Sequence, residues 1–148
     1  MKINKMLTKR NFTATQNKKN EWIVIHYTAN DGDTAKANCI YFNSVYRGAS
    51  ANYFVDENSV WQCVEDTATA WHVGSTKGYK NGCRNYNSIG VELCSRRDPI
   101  TGRYYFKDET IKNAQELVKE LMKRWNIDIE HVCRHFDVTR KNLPTSFL

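Results

Sequence analysis

The stretch Glu21-Trp22-Ile23-Val24-Ile25-His26-Tyr27-Thr28 is short, apolar and rich in β-branched residues, and these properties predict a buried strand. The pattern recurs at Ser88 to Cys94 and, more briefly, at His131 to His135, which predicts two further strands. A hairpin is predicted between them, because residues 52–56 and 60–64 flank the turn-forming residues 57–59.

Two helices are predicted between these strands. Thr34 to Tyr46 has apolar residues near helical spacing, with Asp33 or Thr34 as its cap and Gly48 to end it. Asp108 to Trp125 has the clearest apolar stripe in the chain, and Asp108 is a suitable cap. Strands that alternate with helices, together with one hairpin, predict an α/β fold: a single domain with a mixed central β-sheet flanked by helices.

Length and composition agree with one globular domain over residues 1–148. The chain has 148 residues, of which 41% are hydrophobic and 12% aromatic, enough to build a core rather than a disordered segment. No apolar run approaches the roughly 20 residues that span a bilayer. The first seven residues are charged and lack the apolar centre of a signal peptide, so we expect synthesis in the cytoplasm without an export signal.

The formal net charge is +6, which favours a polyanionic partner such as nucleic acid, anionic lipid or a cell wall that carries acidic polymers. The basic residues are scattered and form no dense run, so nucleic acid is the weaker interpretation and a merely solvated basic surface stays an alternative.

Five widely spaced cysteines without a C-x-x-C pattern indicate free thiols. Cys94 and Cys133 lie in apolar stretches and are predicted to be core residues.

Strand ends carry residues suited to metal-assisted hydrolysis. His26 and His135 lie at or near the ends of predicted strands, and their ring nitrogens are suitable ligands for zinc, which in catalytic sites usually has three protein ligands. Glu92 could exchange a proton with a zinc-bound water, and Lys141 could stabilise an oxyanion. Taken singly, each residue has a simpler interpretation: a hydrogen-bonded structural histidine, a glutamate at a solvated sheet edge, or a solvated lysine.

Five segments in chain order together resemble the zinc-dependent N-acetylmuramoyl-L-alanine amidases of the amidase-2 type. That family includes phage endolysins and peptidoglycan recognition proteins. The resemblance covers nearly the whole chain, and the segments are Ile23-Val24-Ile25-His26-Tyr27-Thr28-Ala29, Ser50-Ala51-Asn52-Tyr53-Phe54-Val55-Asp56, Ala70-Trp71-His72-Val73-Gly74, Asn87-Ser88-Ile89-Gly90-Val91-Glu92-Leu93 and Arg134-His135-Phe136-Asp137-Val138.

The resemblance assigns catalytic and metal-binding roles. It implies that His26 and His135 are zinc ligands, that Glu92 activates the attacking water and that Lys141 stabilises the transition state. Tyr53 matches a position where some members have a tyrosine near the metal, although packing within the hairpin is an equally weighted alternative.

Two further residues fall in the segment that lines the family's substrate cleft. By resemblance, Trp71 and His72 are substrate-binding residues. A structural role in the loop is about as well supported for His72.

The chain departs from the family pattern at Leu143, eight residues after His135. The phage branch has a cysteine there as the third zinc ligand, and other members have an aspartate. Leucine has no lone pair to donate, so we expect weakened zinc binding. Cys133 is a conceivable substitute, although a core role suits it better, and Asp137 matches a residue that looks structural in the family.

The sequence therefore predicts a zinc-dependent amidase that acts on bacterial peptidoglycan. The bond cut would join N-acetylmuramic acid to L-alanine in an endolysin-like lysis of the host cell from within, with activity impaired by Leu143. The alternative is a non-catalytic peptidoglycan-binding module. A muramidase is a distant third, since Glu65 and Asp66 are adjacent and give no opposed carboxylate pair. The chain stops at Leu148, where many endolysins continue into a wall-binding domain, so we expect an isolated catalytic domain.

Overall fold

Strands and two helices alternate along the chain in the computed structural model, which describes residues 1–74 and 82–135. Short 3-10 turns precede the fifth and the last strand. In chain order the elements are β1 (Asn4–Lys5), β2 (Trp22–Tyr27), α1 (Ala35–Ser44), β3 (Tyr53–Val55), β4 (Val60–Gln62), β5 (Ser88–Leu93), β6 (Arg96–Arg97), β7 (Tyr104–Tyr105), α2 (Asp108–Trp125) and β8 (Val132–Arg134).

Six of the strands form one mixed sheet, which confirms the predicted architecture. Their order is β1-β4-β3-β5-β2-β8, and β3 with β4 is the antiparallel hairpin expected from the sequence. The other neighbours are parallel. In the longest pairing, β2 and β5 are in register from Trp22 opposite Ser88 to Tyr27 opposite Leu93.

The two helices cover opposite faces of this sheet. Alternate residues of β2, β3 and β5 pack with the apolar stripe of α2 in the largest core cluster, which includes Ile25, Tyr53, Val91 and Leu117. The intervening residues face the α1 side, where Phe54 packs with α1 in a second cluster. Because side chains alternate along a strand, each strand contributes to both faces.

The helix ends show where local sequence rules hold. Thr34 caps α1, since its hydroxyl accepts a hydrogen bond from the backbone N–H of Ala37 at 3.1 Å. The helix ends at Ser44, two residues before the predicted end, because Val45 is already extended. Helix α2 has the predicted bounds, but Asp108 is its first helical residue rather than its cap.

Some expectations differ from the structure or lie outside it. Sequence periodicity did not indicate β1 or the β6–β7 hairpin, because each of these strands has two residues. Part of the predicted loop at 67–82 and the segment after His135 lie outside the described residues. Cys94 and Cys133 are buried, as predicted. Within residues 1–74 and 82–135, neither helix is long and apolar enough to cross a membrane.

A buried carboxylate joins the hairpin region to α2. Asp66 accepts hydrogen bonds from the Tyr53 hydroxyl at 2.6 Å, from Arg124 at 2.9 Å and from the Trp125 indole at 2.9 Å. Burial raises the pKa of the Tyr53 hydroxyl, and the nearby Asp66 charge raises it further, so this group stays a neutral donor. The network fixes the position of α2 against β3.

Replacing Asp66 should therefore destabilise the fold strongly. We expect Asp66→Ala to lower the free energy of unfolding by about 3–5 kcal/mol, because it leaves buried donors and a guanidinium without their acceptor. Urea denaturation followed by tryptophan fluorescence measures the change. The neighbouring Glu65→Ala is the control, since the side chain of Glu65 forms an exposed ion pair with Lys5 that should contribute less than about 1 kcal/mol. Equal effects of the two substitutions would contradict this account of the network.

Candidate active site

Two histidines from distant parts of the sequence meet at one edge of the sheet. His26 lies near the end of β2, and His135 directly follows β8, the strand paired with β2. Their Nδ1 atoms are 2.8 Å apart, and the rings meet edge to face at a centroid distance of 4.5 Å. The structure thus brings together the two residues predicted to be metal ligands.

A third histidine contacts the opposite side of the His26 ring. The Nε2 of His26 lies 2.9 Å from the Nδ1 of His72, and the Nε2 of His72 lies 3.0 Å from the hydroxyl of Ser88. The backbone N–H groups of His72 and Val73 both donate to the side-chain oxygen of Asn85, at 3.1 and 2.9 Å. His72 is therefore held at both its ring and its backbone.

The ring of His72 packs directly on the backbone of β5 at Gly90. A Cβ atom at this position would lie 2.6 Å from the Cγ of His72, closer than side chains approach one another. Asn52 fixes the same strand residue, because its side-chain oxygen accepts from the Gly90 N–H and its own N–H donates to the Gly90 carbonyl. Glycine here provides the space that the imidazole occupies.

The environment of His72 favours the neutral imidazole. Burial, together with the nearby charges of Lys18 and His135, lowers the pKa of the His72 imidazole to about 3. Lys18 is itself largely buried, which lowers its pKa to about 8, and its ammonium donates to the backbone carbonyls of Asp66 and Ser88. A cationic His72 would face these positive groups in a region that solvent barely reaches.

Glu92 lies beside the histidine pair. It occupies the β5 position opposite His26, so both side chains project from the same face of strands about 4.8 Å apart. Glu92, Trp71 and His72 line one cleft of about 600 Å³, whose other wall is formed by α1. The Trp71 indole is held there by a hydrogen bond to the Thr13 hydroxyl at 2.8 Å.

Tyr53 is not part of this group. It alternates with Phe54 on β3 and points to the α2 side of the sheet, where it is fully buried and its hydroxyl donates to Asp66. His26 projects from the other face. The structure therefore does not bring Tyr53 to the histidines, and the alternative role in packing fits its position, so we remove Tyr53 from the catalytic candidates.

The remaining predicted residues, Lys141 and Leu143, lie outside the described residues, as does Asp137. Within residues 1–74 and 82–135, no three His, Cys, Asp or Glu side chains are grouped to hold a metal ion. His72 does not complete such a group, because it contacts the side of His26 that faces away from His135. Cys133 is buried in an apolar cluster with Trp22 and Val24.

The two histidines that the structure brings together are nevertheless suitable zinc ligands. Two imidazole nitrogens converge on one point, and imidazole is a preferred zinc ligand. Two protein ligands are fewer than the three of an ordinary catalytic zinc site. A third protein ligand, if there is one, must come from the part of the chain that the structure does not describe.

Sequence reasoning missed the supporting residues Ser88, Gly90 and Asn85. Ser88 and Gly90 alternate with apolar residues on β5, and Glu92 continues the same series. That period of two places small or polar side chains on one face of an otherwise apolar strand. The alternation was a readable signal that this face supports a site rather than a packed core.

Comparison with known proteins points to one family. The sequence profile described as "N-acetylmuramoyl-L-alanine amidase" (Amidase_2) matches residues 16–146. A probable N-acetylmuramoyl-L-alanine amidase of Bacillus licheniformis is 34% identical over 138 residues, which cover 85% of this chain and 36% of the relative. The chain thus spans about a third of that protein's length.

Solved structures agree. The catalytic domain of XlyA matches with a TM-score of 0.81 and 26% identity, covering 99% of this chain and 92% of that one. A mutant endolysin from Bacillus subtilis matches with a TM-score of 0.79 and 28% identity over 98% of this chain and 90% of that one.

The contact between Gly90 and His72 is testable by a double-mutant cycle. Gly90→Ala should lower the free energy of unfolding by about 1–3 kcal/mol, because the added methyl overlaps the imidazole. In a His72→Ala background the same substitution should cost much less, since the ring is gone. Thermal or urea unfolding of the four proteins gives the coupling. Additive effects would show that Gly90 does not serve to admit the ring.

Proposed function

Because the chain belongs to the Amidase_2 family of N-acetylmuramoyl-L-alanine amidases, we propose that it hydrolyses the amide bond between N-acetylmuramic acid and L-alanine in peptidoglycan. The observation that carries the proposal is the convergence of the His26 and His135 ring nitrogens beside Glu92, at the end of an open cleft. This arrangement supports a site in which the attacking water is activated next to the bound substrate.

His26 and His135 are the residues that would hold a zinc ion, through their Nδ1 atoms. When bound, zinc polarises a carbonyl oxygen and lowers the pKa of a coordinated water to about 7. We propose that Leu143 occupies the third ligand position, as the family pattern implies, and that zinc binding by this chain is weak for that reason. The described donors alone supply two nitrogens.

Glu92 is the proposed proton carrier. Its carboxylate accepts a proton from the attacking water and then delivers it to the amide nitrogen, so that L-alanine leaves with a free amino group. The position of Glu92 on β5, opposite His26, supports this role because it brings the carboxylate alongside the metal ligands. By family resemblance, Lys141 would stabilise the oxyanion that forms on the carbonyl.

The cleft is the proposed site for the muramyl peptide. Its volume of about 600 Å³ lies within the range typical of ligand-binding pockets. Trp71 is partly exposed in its wall, and a substrate contact by Trp71 suits that position. Both ring nitrogens of His72 are used within the protein, so any substrate contact by His72 falls to its ring carbons or its backbone.

The proposed biological role is endolysin-like. The enzyme would be made in the cytoplasm of a bacterial host and would act on the wall of that cell, with bacteriophage origin as part of the proposal. The net charge of +6 suits a wall that carries acidic polymers. A second candidate function, peptidoglycan binding without cleavage, is favoured by one specific residue, Leu143, which cannot ligate a metal.

The role of position 143 is tested by Leu143→Cys. A thiolate at the third ligand position should raise zinc affinity by at least about 10- to 100-fold, the size of effect seen even for groups that only support a ligand. Zinc content after gel filtration and competition with a chromophoric chelator measure binding. Release of stem peptides with a free L-alanine amino group, detected by mass spectrometry, measures cleavage.

The matched control for this substitution is Leu143→Ala, which also removes the leucine side chain but supplies no thiolate. It should bind zinc no better than the unaltered chain. If Leu143→Cys neither binds more zinc nor cuts faster, the account of a missing ligand is wrong. If the unaltered chain already holds one equivalent of zinc and is fully active, another ligand replaces position 143, and residues 75–81 and 136–148 are the first to examine.

The role of Glu92 is tested in the Leu143→Cys protein. Glu92→Gln keeps the size of the side chain but cannot carry the proton, so kcat should fall by about 10²- to 10⁴-fold while zinc content stays unchanged. Tyr53→Phe is the control, because Tyr53 lies on the far side of the sheet and its loss should change stability but not kcat. An active Glu92→Gln enzyme, or a large loss of kcat in Tyr53→Phe, would reverse these assignments.

A further inference from the structure

A directed chain of hydrogen bonds runs from the protein interior to the His26 ring. Its first member is the Ser88 hydroxyl, which donates to the backbone carbonyl of Arg84 at 2.5 Å. A hydroxyl has one proton. Ser88 must therefore accept, rather than donate, in its 3.0 Å contact with the Nε2 of His72.

The acceptor role of Ser88 also determines the donor and acceptor roles of His72 and His26. With its proton on Nε2, the neutral His72 ring has a lone pair on Nδ1. Among the described residues, its two ring nitrogens contact His26 and Ser88, neither of them an anion, and burial disfavours the cationic ring. Nδ1 therefore accepts in the 2.9 Å contact, and the Nε2 of His26 donates to it.

We propose that His72 is a positioning residue that holds the proton of His26 on Nε2 and turns the lone pair of Nδ1 toward His135. A histidine that binds a metal through one nitrogen generally donates its other N–H to a partner that fixes the tautomer and ring orientation. The link to metal binding rests on the proposed function. The direction of the hydrogen-bond chain is independent of the proposed function.

The residues around His72 hold its imidazole ring in one orientation. Asn85 holds the backbone of the residue, and Gly90 admits the ring against β5 where any Cβ atom would collide with it. Asn52, the residue before β3, holds Gly90 in place by accepting a hydrogen bond from its backbone N–H. Only in this orientation can the ring accept a hydrogen bond from His26 on one side and donate one to Ser88 on the other.

Packing alone makes different demands from the positioning role. A packing role would be met by any side chain of similar volume, such as leucine. The positioning role needs an acceptor that faces His26 and a donor that faces Ser88. Glutamine can supply both, through its carbonyl oxygen and its amide nitrogen, so His72→Gln and His72→Leu separate the two roles.

The direct test is the tautomer of His26 in the unaltered, metal-free chain. Long-range proton–nitrogen NMR of protein labelled with ¹⁵N-histidine, at pH 7.5, identifies which ring nitrogen carries the proton. We expect His26 to be protonated on Nε2 in the unaltered chain and in His72→Gln. In His72→Leu the single tautomer should be lost, with averaged or exchanged nitrogen shifts. Protonation of His26 on Nδ1 alone in the unaltered chain would overturn the proposal.

Zinc affinity in the Leu143→Cys protein is the second measurement. His72→Leu should weaken zinc binding by about 10- to 100-fold, and His72→Gln should restore most of that loss. Ser88→Ala removes the far acceptor together with the hydrogen bond to the Arg84 carbonyl. It should give a smaller loss and serves if His72→Leu does not fold. Thr69→Val is the control: it replaces a buried polar residue and breaks the hydroxyl contact with Thr15, so it should leave both the affinity and the tautomer unchanged.

Equal zinc affinity and equal histidine spectra for His72→Gln and His72→Leu would refute the positioning role and leave His72 as packing. Failure of the proposed function gives a different pattern. In that case Leu143→Cys binds no zinc and releases no peptide, yet the Nε2 proton of His26 and its dependence on His72 are still observed. The tautomer measurement thus decides the proposal whatever the outcome for catalysis.

Discussion

The parallel register between β2 and β5 is the constraint on which the rest of the molecule depends. It sets His26 opposite Glu92, and it directs Ile25 and Val91 of the same strands into the core beneath α2. Because side chains alternate with a period of two, a slip of one residue would send the polar set into that core and the apolar set into the cleft. Burial of the apolar face therefore fixes the geometry of the polar face, and the candidate site is a consequence of how the core packs.

The polar face is completed from outside the sheet. His72 arrives from the segment after the hairpin and packs on β5 at Gly90, while His135 arrives from the end of β8. Each contributes to an arrangement whose rigid part is strand backbone. Sites built on such elements hold their geometry better than sites built on loops alone.

Much of this could be read from the sequence, and the failures have physical causes. Strong periodicity identified the central strands and α2, and the rule that parallel strand ends share one edge brought His26 and His135 together. Periodicity says that neighbours such as Tyr53 and Phe54 face opposite ways but not which of them faces the site. Tyr53 was assigned by resemblance and lies on the other face. The contact between His72 and Ser88 depends on tertiary packing, which no local pattern encodes.

The physical state of the site bears on the choice between an enzyme and a binding module. Buried imidazoles cost desolvation free energy, and apolar residues of similar volume would stabilise the same space at least as well. A module that only gripped the wall from its cleft would have no use for His26, His72 and Ser88 hydrogen-bonded in sequence behind that cleft. Such a chain of hydrogen bonds fixes the orientation of the His26 ring, an arrangement that is general among metal-binding histidines. The described part of the site therefore favours the proposed hydrolase over a module that only binds the wall.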